Sequence, residues 1–151
     1  MKEIRYREHL FDVLSSNVDE VFLIYNRNKN ALEYVSANCR RVLELEGSDF
    51  SGDSDILAQR VIQEDRAAFA EFVKPKGGQA GQYCDLRMRY PSGDLRWIRF
   101  QVFPEVINRK IERYIVSVSD RSEEMRREQT LKDALVNAQN ANAAKQNFLS
   151  V

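Results

Sequence analysis

Tyr83-Cys84-Asp85-Leu86-Arg87-Met88-Arg89-Tyr90-Pro91-Ser92-Gly93-Asp94-Leu95-Arg96-Trp97-Ile98-Arg99-Phe100-Gln101-Val102-Phe103 reads as two strands joined by a turn. Cys84, Leu86, Met88 and Tyr90 alternate with Asp85, Arg87 and Arg89, the period of two expected of a half-buried strand. Pro91-Ser92-Gly93-Asp94 supplies the turn chemistry. Beyond it, Ile98, Phe100 and Val102 share one side of the second strand, while Leu95, Trp97 and Phe103 share the other with Arg99 and Gln101. Both faces of this sheet therefore need cover. A third strand is expected over residues 113–119, after the break at Asn108-Arg109-Lys110.

Upstream, Lys74-Pro75-Lys76-Gly77-Gly78 is a flexible loop without a phosphate-loop pattern. It closes a helical region over residues 56–73 that is apolar at Leu57, Val61, Ile62, Phe69 and Phe72 and interrupted at Gln63-Glu64-Asp65. Before the polar stretch 48–54, Asn38 is placed to cap a helix that starts at Cys39, carries Val42, Leu43 and Leu45, and stops at Gly47. Val21-Phe22-Leu23-Ile24-Tyr25 and Leu32-Glu33-Tyr34-Val35-Ser36 flank an Asn-rich turn and make a first hairpin. Residues 4–18 set Ile4, Leu10, Phe11, Leu14 and Val18 against Arg5, Arg7, Glu8 and Asp12, as an amphipathic helix does. The expectation is that the central helices cover one sheet face, and that the first helix or a second subunit covers the other.

Downstream, Asp120-Arg121-Ser122-Glu123 has the Asp-x-x-Glu spacing of a capping box. Residues 124–151 contain neither Gly nor Pro, and Leu131, Leu135, Ala138, Asn142, Lys145 and Leu149 recur at spacings of four and three. That is a coiled-coil seam, and its length favours pairing with a second chain. The fold class is thus α+β: a five-stranded antiparallel sheet with short helices on one face, flanked by an N-terminal amphipathic helix (1–18) and a C-terminal coiled-coil helix (121–151) around a central domain (19–120).

Composition narrows the function. With 151 residues, 43% apolar and 30% charged, the chain suits one compact domain joined to a solvated helix. Its formal net charge of zero offers no field to draw it to nucleic acid. Cys39 and Cys84 lack metal-ligand spacing and His9 is the one histidine, so no protein-built zinc site is expected and both thiols are read as reduced and buried. No apolar run approaches the roughly 20 residues of a membrane span, and the start is too charged for a signal peptide, so a cytoplasmic location is expected. Glu64, Asp65, Glu71 and Asp85 read as solvated charges, because nothing in their spacing selects a shared acid–base pocket. Arg40-Arg41 and Arg126-Arg127 are balanced by nearby Glu, and Trp97 reads as packing. No catalytic residue is assigned.

Local sequences carry a resemblance. Val35-Ser36-Ala37-Asn38 entering a helix, Val61-Ile62-Gln63-Glu64-Asp65 and Ser92-Gly93-Asp94-Leu95-Arg96-Trp97-Ile98 resemble, in this order of elements, the PAS domain family over residues 19–120. Gln63 stands where the family's His-Pro-x-Asp turn has proline. Ser119-Asp120-Arg121-Ser122-Glu123 resembles the family's Asp-Ile-Thr-Glu junction, with Glu123 as its capping residue, and by that resemblance Asp120 fixes the angle of the exit helix through a charge-assisted bond to an arginine on a neighbouring strand such as Arg96. Ala138-x-x-Ala141-Asn142-x-Ala144-Lys145-x-x-Phe148-Leu149-Ser150 resembles the run into the dimerisation and phosphotransfer helix of bacterial sensor histidine kinases. There the acceptor histidine follows within a few residues, so this chain, ending at Val151, is expected to lack it and to have no kinase activity of its own.

The resemblance implies a sensory role upstream of a response regulator, and a homodimer is expected through the N-terminal and C-terminal helices. If a small molecule binds, strand alternation puts its pocket between the concave sheet face and the central helices, lined by Phe22, Ile24, Leu57, Met88 and Phe100. The resemblance leaves open a constitutive dimerisation module and a PAS domain ahead of a diguanylate cyclase. Asn38-Cys39-Arg40 is similar to the flavin-reactive motif of light-sensing LOV domains, but continues Arg41-Val42-Leu43 instead of Phe-Leu-Gln and sits too early. No flavin is expected, nor haem, since no histidine follows His9.

Overall fold

The computed structural model describes residues 9–10, 13–14, 18–29, 31–50, 56–73 and 81–149. The chain divides into two compact units, Met1–Asp120 and Arg121–Val151. In the first, β1 (Glu20–Asn26) and β2 (Ala31–Val35) precede three short helices, α1 (Cys39–Leu43), α2 (Ile56–Arg60) and α3 (Arg66–Phe72), with 3-10 turns at Gly47–Phe50 and Gln63–Asp65. β3 (Gln82–Arg89), β4 (Leu95–Ile107) and β5 (Lys110–Asp120) complete it. The second unit is one helix, α4 (Ser122–Leu149).

The five strands form one antiparallel sheet in the order β2-β1-β5-β4-β3. The first and last strands meet at its centre, where Val21 pairs with Val118 and Leu23 with Val116. Following registered pairs across the sheet assigns the faces, since partners share a face and neighbours along a strand do not. Val21, Leu23, Val118, Phe100, Ile98 and Leu86 share the inner face, and with Cys39, Val42, Leu43, Leu45, Val61 and Phe69 from the helical segment they form the buried core. Burial of apolar side chains on this scale, at about 1.5–3 kcal/mol each, is the main force holding the helices to the sheet.

The outer face is different. Trp97 and Phe103 remain 36% and 38% exposed there. Of the expected first helix, His9–Leu10 and Val13–Leu14 have helical backbone and exposed side chains. The rest of that helix, and its expected cover of this face, lies outside the described residues.

Several local expectations are corrected. α1 ends at Leu43, with Glu44 in the left-handed region (φ 54°), and not at Gly47, which begins a 3-10 turn. Asn38 stands at the N-cap position, but its side chain makes no capping bond. β4 runs on to Ile107, through Pro104. Among the described residues its pairing with β3 ends at Val102, and on that side a missing N–H at Pro104 breaks no ladder bond between described strands. Cys39 is buried as expected, whereas Cys84 is half-buried, and burial pushes both thiols up.

Two turns show why their residues are there. Gly93 closes the β3–β4 connection at φ 92°, its N–H donating to the Tyr90 carbonyl at 2.8 Å. The β4–β5 hairpin turns on Asn108 and Arg109, both at positive φ (53° and 65°), between the paired Ile107 and Lys110. A two-residue turn of this kind favours Asn-Gly. Arg109→Gly is therefore expected to stabilise the domain by about 0.5–1 kcal/mol, relief of left-handed strain outweighing the greater chain entropy of glycine. Urea unfolding of the two proteins measures the difference.

Candidate functional site

The inner face is built from opposite ends of the sequence. Met88 is fully buried, Phe100 is 2% exposed, and the Phe69 ring from α3 packs against Phe100 at a centroid distance of 5.3 Å and a tilt of 56°. Leu57 on α2 packs against the same cluster. The structure thus brings Leu57, Met88 and Phe100 together. Phe22 and Ile24 do not join them: they pair with Ser117 and Ile115 on the outer face, while Val21 and Leu23 point inward. The correction has a simple cause. All of Val21-Phe22-Leu23-Ile24 is apolar, so alternation could not choose the phase.

A polar lock holds α1 to the sheet. The Ser36 backbone N–H donates to the Phe22 carbonyl at 2.9 Å, and its hydroxyl accepts from the Phe22 N–H at 2.8 Å. That hydroxyl donates to Asn38 Oδ1 at 2.5 Å, and Asn38 Nδ2 donates to the Val18 and Glu20 carbonyls at 2.9 and 2.6 Å. Asn38 is buried and fully engaged, which is why it is unavailable as a helix cap.

At the sheet edge, β3 is closed by the segment before α3. Val61 forms a bridge with Met88, and the Ile62 N–H donates to the Arg87 carbonyl at 3.0 Å. The Asp65 carboxylate accepts the Arg87 backbone N–H at 2.8 Å and its Nε and Nη2 at 3.0 and 2.8 Å. Those bonds, chiefly the Arg87 guanidinium, hold the Asp65 carboxyl below the usual range. On the outer face Asp85 takes a two-pronged bond from Arg99, at 2.8 and 3.0 Å, with Arg99 over the Tyr83 ring at 4.1 Å. The Arg87 guanidinium also lies 5.4 Å from the Trp97 ring centroid. Asp65 and Asp85, expected to be solvated, are thus half-buried structural ion pairs, each closed by an arginine the sequence spacing did not suggest.

The third constellation gathers around Tyr90, which sequence reasoning treated only as the end of a strand. Its hydroxyl donates to the Val42 carbonyl at 2.8 Å, and burial, with the nearby Asp120 charge adding to it, pushes its phenol up to about 12. The Arg96 guanidinium stacks on its ring at 4.1 Å and stands 3.5 Å from Asp94 and 3.6 Å from Asp120. Arg96 and Asp120 are therefore neighbours at the end of β5. Beyond it α4 begins at Ser122, and Glu123 closes on Arg127 at 2.7 Å, which lowers its carboxyl.

On α4 the seam residues Leu131, Leu135, Ala138, Asn142 and Leu149 are all exposed, Leu131 at 73% and Leu149 at 72%. Glu123–Arg127 and Gln129–Asp133 pairs, each four residues apart, support the helix itself. Among the described residues no helix is long and apolar enough to cross a membrane, and no group of three His, Cys, Asp or Glu side chains gathers as a metal site does.

No family model matches this sequence, and no curated protein matches it. Solved structures do match. The N-terminal domain of a diguanylate cyclase with a PAS/PAC sensor from Marinobacter aquaeolei aligns at TM-score 0.60 and 22% identity, over 70% of this chain and 98% of that one. The chain has the PAS fold. A sensory box histidine kinase/response regulator from Burkholderia thailandensis aligns at TM-score 0.61 and 19% identity, over 86% and 98%. A PAS domain from a two-component sensor histidine kinase gives 0.53 and 16%, over 80% and 99%. Asp120 is the last residue of β5, and α4 begins two residues later at Ser122.

Proposed function

We propose that this chain is the PAS sensory and dimerisation module of a two-component sensor histidine kinase, relaying a ligand, partner or redox signal through α4. One observation carries the reading: β5 passes through a single residue into a 28-residue helix whose leucine stripe is exposed in the single chain. A stripe spaced four and three belongs against a second copy, so the module is a homodimer through α4 and the N-terminal helix. The stimulus must bind two junction arrangements unequally, and these must lie within a few kcal/mol of each other. The kinase domains that follow would phosphorylate a histidine and pass the phosphoryl group to a response regulator, which places the module in the cytoplasm with ATP. A diguanylate cyclase downstream would use the same helix in the same way.

Grafting residues 1–151 in heptad register onto the phosphotransfer and ATP-binding domains of a histidine kinase tests the reading. Autophosphorylation that falls when Leu135→Asp is introduced is the expected result. Activity indifferent to that change overturns it.

The dense packing around Met88, Ile98 and Phe100 favours a second reading, a constitutive dimerisation module with no ligand. Native mass spectrometry and a thermal-shift ligand screen separate the two. A copurifying molecule or a specific shift supports sensing, and neither supports the closed module.

A further inference from the structure

We propose that Tyr90 is the positioning residue of the output junction, coupling the C-terminus of α1 to Asp120; the inference rests on the reading that Asp120 hands the signal to α4. The C-terminal carbonyls of a short helix have no partners within it. For α1 these are met from outside: the Tyr90 hydroxyl donates to the Val42 carbonyl at 2.8 Å, and Arg60 Nη2 donates to the Glu44 carbonyl at 3.2 Å. Tyr90 is also bound to the β3–β4 turn, its N–H donating to the Asp94 carbonyl at 2.8 Å. Its ring forms the platform on which Arg96 lies at 4.1 Å. One residue therefore touches α1, the turn, and the arginine that faces the end of β5.

Arg96 is shared. Its Nη2 is 3.5 Å from Asp94 and its Nη1 3.6 Å from Asp120. Both separations exceed the roughly 2.7–2.9 Å of a charge-assisted hydrogen bond, so a small displacement closes the guanidinium on one carboxylate at the expense of the other. A shift of α1 pulls the Tyr90 hydroxyl, the ring follows, and Arg96 moves between Asp120 and Asp94. That is a two-position element of the kind a coupling route requires.

Amide hydrogen exchange on the full 151-residue chain tests this. Tyr90→Phe keeps the ring and removes the hydroxyl. It is expected to speed exchange at residues 119–122 about five-fold, on the scale of one net hydrogen bond, and to leave β4 residues 98–102 within about two-fold. Arg96→Lys keeps the charge but loses the planar stack and is expected to reproduce that pattern. With Asp120→Asn already present, Tyr90→Phe should add nothing at residues 119–122, because both act on one arginine. Equal acceleration in both segments, or effects that multiply in the double variant, overturn the coupling. The experiment needs neither a dimer nor a kinase, so a failure here leaves the grafting result standing, and a silent graft leaves this coupling standing.

Discussion

Phe100→Ala should cost about 3–4 kcal/mol of folding stability, the largest single effect expected in the chain. The side chain is 2% exposed at the middle of β4, flanked by Val118 on β5 and Cys84 on β3, and the Phe69 ring closes over it from α3. Truncation removes the transfer free energy of a ring and leaves a void that neighbours on two rigid strands cannot fill. Denaturant unfolding at constant m-value measures it, with Phe103→Ala as control: that residue is 38% exposed on the outer face and should cost less than half as much. Equal losses from the two substitutions would mean that the inner face is not the packed core.

Asp65→Asn should cost about 2 kcal/mol at neutral pH. The carboxylate accepts three bonds from Arg87 and secures the outer edge of β3, a role for which an amide has one acceptor oxygen too few. A fully buried pair would cost more to break, but the Arg87 side chain is 34% exposed and water recovers part of the loss. The pH dependence has a defined sign. Asp65 is held below its unfolded-state value, so its contribution is present above about pH 4 and disappears as pH falls through the folded-state value. The parent protein and Asp65→Asn should accordingly differ at pH 7 and converge in acid, as urea midpoints across that range will show.

The three consecutive strands were legible because β3 alternates cleanly and Pro91-Ser92-Gly93-Asp94 has one good use. The break between α2 and α3 was legible too, since Gln63-Glu64-Asp65 interrupts the apolar spacing where the 3-10 turn lies. What failed was anything that depended on phase or on distant partners. β1 is apolar on both faces, so Phe22 and Ile24 were assigned inward when Val21 and Leu23 hold that place. Asn38 has the chemistry of a cap, but the Val18 and Glu20 carbonyls, far off in sequence, claim its amide. Asp65 and Asp85 looked solvated because their arginines lie 22 and 14 residues away. Tyr90 carried one overlooked signal: a tyrosine in phase with buried Leu86 and Met88 needs a partner for its hydroxyl.

Sedimentation equilibrium of the 151-residue chain, beside a Leu131→Asp/Leu135→Asp variant, tests the central claim that α4 is a dimeric output helix. Both leucines are exposed in the single chain, so the changes should leave the PAS unit folded. The expected result is a dimer at micromolar concentration that the double variant converts to a monomer. A parent chain that stays monomeric at high micromolar concentration, or a dimer indifferent to both substitutions, would contradict it.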